Sequence, residues 1–285
     1  MNEIHFFLKD QFPEVHAALP GINRYDWVYT SKRENIEIAF QIMSSNRFDI
    51  LPIKERDGDY LRYFKTKEWG KFGNKEIIKC DILAEDRIYF LTRIRDVIRE
   101  FAEKNRNFFF LDNNKEILGL ITIGNLNSKH VYLYLYNLIL QLENHMGSAL
   151  YSAGFNDREL TSVFQKLNNS RRVSEVLNRF ERDQARGADF RFVEYLYLSD
   201  YKNIYEDIEI KEKLKISCSE FPNVLVNINK IRNVVAHPNK SLIRNENSIK
   251  ELSRAIDALE ELTIEFRELE RNHKRTKYKQ KSRLL

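Results

Sequence analysis

Late in the chain, Ile231-Arg-Asn-Val-Val-Ala-His-Pro-Asn239 gathers an arginine, an amide and an imidazole on one short stretch. These side chains suit chemistry at a phosphate. A guanidinium offers a planar fork to phosphate oxygens. An imidazole titrates where it can give or take a proton. The amide of Asn233 can orient either group or a ligand. A simpler use is open to the same residues, with Arg232 and His237 only capping a helix and bonding its last carbonyls.

The element that must position them is a helix. From Phe221 to His237 apolar residues recur at Phe221, Leu225, Ile228, Ile231 and Val235, a three-and-four spacing that draws one buried stripe. Pro238 disfavours α geometry at the preceding residue, so the helix is expected to end at His237, where cations are favoured beside the last carbonyls. A second pair, Arg267 and His273, fits the same loose spacing. It stands on a highly charged helix that leads into a basic tail, with Glu268 directly after its arginine, which makes it a decoy.

The whole chain has 285 residues, 42% hydrophobic, enough for one large domain or two ordinary ones. Cys80 and Cys218 lie far apart and fit neither a disulfide framework nor a metal-ligand spacing. With no export signal and no long apolar run, a reduced cytoplasmic location without a membrane partner is expected. The formal net charge is +5, but residues 271–285 carry seven Lys or Arg and no acid. The body is therefore close to neutral and the tail strongly basic. Such tails are usually disordered, and some contact nucleic acid.

Organisation changes near residue 128. Upstream, helical 34–45 runs into the strand Phe48–Ile53, a turn at Asp57-Gly-Asp59, and the strand Tyr60–Phe64. The same order returns with helical 95–103, the strand Phe108–Leu111, a turn at 112–115 and the strand Ile117–Ile123, roughly sixty residues later. This repeat, spanning residues 26–127 after an N-terminal segment 1–25, resembles a pair of CBS (cystathionine-β-synthase-type) domains. "AFQIMSSNRFDILPI" looks like the first half's helix and Pro-containing strand. "LDNNKEILGLITIGNL" looks like the second half's closing hairpin, with Gly119, Thr122 and Asn125 at the family's Gly, Thr and Asp positions. The resemblance implies an adenosine nucleotide as regulatory ligand, its phosphate met by Thr122 and its ribose by residue 125. Asn125 replaces the acid and offers no charge-assisted acceptor. The first half's "YFKTKEW" matches less well, with Lys65 and Glu68 nearest. A degenerate pair serving only for dimerisation is the competing reading.

Downstream, residues 128–270 read as helices. "SKHVYLYLYNLILQLENHMGSALYSA" is apolar around most of its girth, with Ser128 as its expected cap. Gly154-Phe-Asn156 breaks it and Asp157 can cap "RELTSVFQKLNN"; "RRVSEVLNRFERDQA" continues that helix or starts another. The last helix, from about Asn247 to Asn272, has a near-heptad seam interrupted by Thr263, read as ordinary packing.

"IRNVVAHP" following several helices resembles the signature of the HEPN superfamily (higher eukaryotes and prokaryotes nucleotide-binding), in which Arg, a polar residue and His close one helix of a small bundle. Glu143 resembles an acidic residue often found on that family's earlier helix. The resemblance implies a metal-independent endoribonuclease of the toxin–antitoxin, antiviral or RNA-processing kind. It also implies a homodimer that sets two motifs over one phosphate, with no cofactor required. One toxin branch has a Tyr shortly after the His; Pro238 and Asn239 stand there instead. RNA carries its own nucleophile, the 2′-OH, so cleavage needs only a proton acceptor, a proton donor and a cation for the phosphorane. The expected catalytic set is Arg232, Asn233 and His237, supported by Glu143, with no metal site.

The expected architecture is thus α+β: a mixed α/β CBS-like pair (26–127), an all-α HEPN-like bundle (128–270) and a basic tail (271–285). The expected function is an RNase whose activity a nucleotide-sensing module regulates, with an inhibitory protein as a candidate partner. The alternative is a non-catalytic nucleotide- or RNA-binding regulatory dimer.

Overall fold

The repeat legible in the sequence is built twice. The computed structural model describes residues 14–31, 35–55, 58–68, 76–215, 221–237, 239–244 and 246–281. Two short strands come first, β1 (Ile22–Asn23) and β2 (Thr30–Ser31). The first copy follows as α1 (Ile36–Asn46), β3 (Ile50–Lys54) and β4 (Tyr60–Thr66), then β5 (Ile77–Asp81). The second opens with β6 (Arg87–Tyr89) and continues as α2 (Ile94–Lys104), β7 (Phe108–Asp112) and β8 (Ile117–Thr122). Each copy makes its own four-stranded sheet, in the orders β2-β3-β4-β5 and β6-β7-β8-β1. In both, the first pair is parallel and the other two antiparallel. β1 therefore fills the edge in the second sheet that β5 fills in the first.

Local chemistry explains the elements. Asn35 caps α1 by accepting the Ile38 N–H at 2.9 Å, and Arg47 and Asn105 end α1 and α2 with φ of 56° and 51°. Along β7 the side chains alternate. Phe108 and Phe110 meet the Tyr63 ring of the other sheet at 5.4 and 5.3 Å, while Phe109 meets Phe101 of α2 at 4.9 Å. Burying each such ring contributes about 1.5–3 kcal/mol, so this aromatic layer is the main bond between the sheets. Gly119 is required where β1 crosses β8, because a Cβ there would lie 2.4 Å from the Ile22 carbonyl oxygen.

Helices make up the rest: α3 (Lys129–Ser152), α4 (Asp157–Leu167), α5 (Ser170–Ala185), α6 (Leu198–Tyr205), α7 (Ile208–Leu214), α8 (Phe221–Val235) and α9 (Glu246–Lys281). A 3₁₀ turn, Phe192–Tyr195, precedes α6. The chain is an α+β protein. It divides into a sheet unit, Glu14–Tyr132 with Ser241–Ser253, and a helical unit, Leu133–Lys240 with the chain from Arg254 onward. The 241–253 segment is tied to the sheet unit by Asn127, whose Oδ1 accepts the Leu242 and Ile243 N–H groups at 2.7 and 2.9 Å.

Several sequence expectations shift. Ser128 precedes α3, but its hydroxyl is buried without a hydrogen-bond partner among the described residues. Asn156, not Asp157, caps α4, because its Oδ1 accepts the Glu159 N–H while Glu159 accepts its own. Asp157 instead accepts the Phe192 N–H and the Tyr151 hydroxyl. "RRVSEVLNRFERDQA" is a separate helix, capped by Asn169 accepting the Arg172 N–H. α9 runs on through the basic tail to Lys281. No Gly or Pro interrupts residues 246–281, and Lys, Arg and Gln are good helix formers whose cations suit a C-terminal end. Thr263 fits the buried seam because its hydroxyl donates to the Leu259 carbonyl at 2.6 Å.

Candidate active site

α8 holds Arg232 by burying its other face. Phe221, Leu225, Ile228 and Val235 are buried, Ile231 only partly. The Phe221 ring lies 5.6 Å from the rings of both Tyr205 on α6 and Phe266 on α9. Arg232 is left half-buried, with Asn233 and His237 exposed. The helix ends at Val235, two residues earlier than the sequence suggests. Ala236 still donates to the Arg232 carbonyl at 2.9 Å, but His237 donates to Val234 at 3.0 Å, one residue closer along the chain. The last turn tightens before the chain leaves. The His237 carbonyl accepts the Lys240 N–H at 2.9 Å. Pro238 and Cys218 lie outside the described residues.

Glu143, on α3, is brought to Arg232. Its carboxyl is raised above the usual range mainly by burial, with the Arg232 charge and the Leu198 backbone N–H pulling it back and Asp200 pushing it up. One oxygen, Oε1, is buried without a hydrogen-bond partner among the described residues. The approach depends on Gly147, one turn further along α3. A Cβ there would lie 2.9 Å from the Tyr201 hydroxyl and 3.0 Å from Val193 Cγ2. The small residue lets α6 and the turn before it close on α3, where the Tyr205 hydroxyl donates to the Met146 carbonyl at 2.7 Å. The N-terminus of α6 is thereby set over Glu143.

Three residues that the sequence reading did not single out complete the cluster. The Tyr197 ring has the Arg232 guanidinium carbon 4.9 Å from its centroid and that of Arg172 at 4.2 Å. Arg172 is clamped by Asp200, with Nη2 donating to Oδ2 at 2.6 Å and Nε 3.2 Å from both carboxylate oxygens. Burial works against the Arg172 charge, and the Asp200 hydrogen bonds and charge more than offset it. Asp200 also accepts the Tyr197 backbone N–H at 2.8 Å, so one carboxylate fixes both the tyrosine's backbone and the second cation. The signal available beforehand was Tyr197-x-x-Asp200, an acid at the third position of a helix; nothing local ties it to Arg172 or Arg232.

The decoy pair behaves differently. Between Arg267 and His273 on α9, Glu270 is engaged by His145 of α3 at 3.0 Å and by Lys274. Burial would raise its carboxyl, but those two partners hold it down at about 2.

In the sheet unit, Thr122 and Asn125 are turned on each other. Asn125 Oδ1 accepts both the Thr122 N–H and its hydroxyl, at 2.8 and 2.9 Å. A cleft of about 570 Å³ lies elsewhere, lined by Tyr63, Lys65, Thr66, Cys80, Arg106 and Phe108 among others, and neither Thr122 nor Asn125 is among its lining residues. Thr66 occupies in the first copy the strand-end position that Thr122 has in the second, and its hydroxyl donates to Asp49 at 2.8 Å. Arg106 at the cleft is paired with Asp86 and Glu85.

Among the described residues no group of three or more His, Cys, Asp or Glu side chains converges as metal ligands, and no helix is long and apolar enough to cross a membrane. No family model matches the chain, and no curated protein is similar to it. Among solved structures it is similar to an uncharacterized conserved protein from Pyrococcus horikoshii, at 14% identity and a TM-score of 0.33 over 40% of this chain and 89% of that one. A likeness that slight transfers nothing.

Proposed function

We propose that the helical unit is a metal-independent endoribonuclease site of HEPN type, and that the sheet unit is a CBS-like regulatory module. The observation that carries the reading is that Glu143 and Arg232, named from separate helices by the resemblance, both reach the start of α6, Arg232 over the Tyr197 ring and Glu143 at the Leu198 backbone N–H. Arg232 is half-buried with its guanidinium carbon 4.9 Å from the Tyr197 centroid, and in this reading its fork meets a phosphate. In the proposed reaction the RNA 2′-oxygen attacks the adjacent phosphorus and the bond to the 5′-oxygen breaks. A base takes the 2′-OH proton and an acid supplies one to the leaving oxygen, leaving a 2′,3′-cyclic phosphate and a 5′-hydroxyl. His237 fills one proton role, Arg232 takes the phosphorane charge, and Asn233 orients the RNA.

A homodimer belongs to this reading. On α3, Leu133 is 60% exposed, Tyr136 40% and Leu140 36%, a stripe at helical spacing that a second copy would cover. Such a contact would bring two motifs together. An adenosine nucleotide is the candidate regulatory ligand of the sheet unit, and an inhibitory protein a candidate partner.

The test is incubation of the purified chain with total RNA in EDTA, followed by analysis of the product ends. Cyclic phosphate ends support the reading; cleavage that EDTA abolishes overturns it. Intact RNA leaves the second reading, a non-catalytic RNA- or nucleotide-binding dimer, which the exposure of His237 outside its helix favours.

A further inference from the structure

Arg232 has two neighbours able to hold its cation, and they do so differently. A carboxylate takes up guanidinium N–H donors and cancels their charge. An aromatic face attracts the cation without consuming a donor, because the ring quadrupole acts on the charge while the N–H groups stay free. Glu143 has an oxygen, Oε1, without a hydrogen-bond partner among the described residues, Arg232 included. The Arg232 guanidinium carbon is instead 4.9 Å from the Tyr197 centroid. Tyr197 is in turn held from its own side: its backbone N–H bonds Asp200, and Arg172, clamped by the same carboxylate, sits 4.2 Å from the ring.

Resting on the reading of Arg232 as the phosphate-binding cation, we infer that Tyr197 is its positioning residue, with Asp200 and Arg172 as the brace that fixes the ring. Tyr197 keeps the Arg232 fork turned away from Glu143 and ready for a phosphate oxygen. Both guanidinium carbons lie within 5 Å of one centroid. Because Arg172 is paired with Asp200 through Nε and Nη2, its part is to brace the ring.

The test uses the full chain with Tyr197→Leu, which removes the ring but keeps apolar bulk, and Tyr197→Phe, which keeps the ring. Two probes are read: an oligoribonucleotide that can be cleaved and its 2′-deoxy counterpart, which can bind but cannot be cleaved. Misplacing a reacting group by about 1 Å can cost 10²-fold, so Tyr197→Leu is expected to lower kcat/KM about 10- to 100-fold. Tyr197→Phe should stay within about threefold, since the aromatic face is retained. Tyr197→Leu should also weaken binding of the 2′-deoxy oligonucleotide, and should add little to the loss caused by Arg232→Ala, because both act through one cation. Losses that multiply instead would make Tyr197 a merely structural residue and overturn the inference, as would wild-type cleavage and binding by Tyr197→Leu. A wild-type chain that binds the 2′-deoxy oligonucleotide but leaves RNA intact ends the nuclease reading while the binding arm still decides this one. A chain that neither binds nor cleaves ends both. Should Tyr197→Leu fail to fold, the wild-type NMR spectrum decides. The Arg232 Nε–H proton, assigned by its loss in Arg232→Lys, is expected to be shifted upfield by the Tyr197 ring, as it should be in Tyr197→Phe. A resonance at the position of exposed arginines overturns the inference.

Discussion

The buried carboxyl of Glu143 on α3 lies in the field of the Arg232 guanidinium on α8, and burial outweighs that attraction, so its proton is held more tightly than in the unfolded chain. In the window between its unfolded and folded pKa the native state binds more protons, and stability from this group falls as pH rises. Glu143→Gln is therefore expected to melt higher than wild type at pH 8, with the difference closing below about pH 4, where both chains are neutral there. Thermal unfolding across that range checks it. A pH-independent difference would show that another group titrates.

Glu270 has the opposite sign. Its carboxyl is held down at about 2 by His145 and Lys274 against the cost of burial. Its stabilisation is complete above the unfolded carboxylate range and is lost as pH falls toward 2. Glu270→Gln should melt lower than wild type at pH 7, with the gap shrinking through pH 4 to 2. An unchanged gap at pH 3 and pH 7 would contradict the assignment.

For the proposed cleavage, His237→Ala is expected to lower the rate by about 10²–10⁴-fold without changing the melting temperature, since His237 is exposed. Arg232→Lys keeps the charge but not the fork, and should lose about 10²-fold or more, the typical cost of one transition-state donor. His273→Ala, at the decoy, should cleave at the wild-type rate. Wild-type cleavage by His237→Ala would falsify the assignment and leave the motif a helix terminus.

The exposed stripe of Leu133, Tyr136 and Leu140 makes the dimer testable at one residue. Tyr136→Glu places a charge in the proposed contact, where an uncompensated buried charge costs several kcal/mol. Light scattering at micromolar concentration is expected to show a dimer for wild type and a monomer for the variant. Equal masses, in either state, would remove this face from the interface.

Calorimetry with AMP, ATP and S-adenosylmethionine tests the proposed regulatory ligand. Thr122→Val removes the hydroxyl that bonds Asn125, whereas Lys65→Ala alters the cleft. Heat lost only in Thr122→Val supports the site expected from the resemblance. Heat lost only in Lys65→Ala moves the ligand to the cleft in the first copy, and no heat with wild type leaves the sheet unit as a dimerisation platform.

The sequence by itself determined the periodic parts. The continuous apolar run Phe108–Leu111 marks a strand buried on both faces, and the helical stripe through Phe221, Leu225 and Ile228 declares which face of its helix is buried, because these patterns follow from the local backbone. The doubled helix–strand–turn–strand was legible for the same reason. Boundaries set by competing hydrogen bonds were not: Asn156 took the cap that Asp157 also fits, because Phe192 and Tyr151 claim Asp157. The end of α8 moved from His237 to Val235 when the last turn tightened. Only the tertiary structure decided the surroundings of the candidate site. It set Glu143 and Arg232 in one field, and it stacked Arg172 and Arg232 on Tyr197. Contacts between residues far apart in the chain follow from how helices close, here at Gly147 where no side chain intervenes. No spacing within one helix can encode which ring a distant arginine will meet.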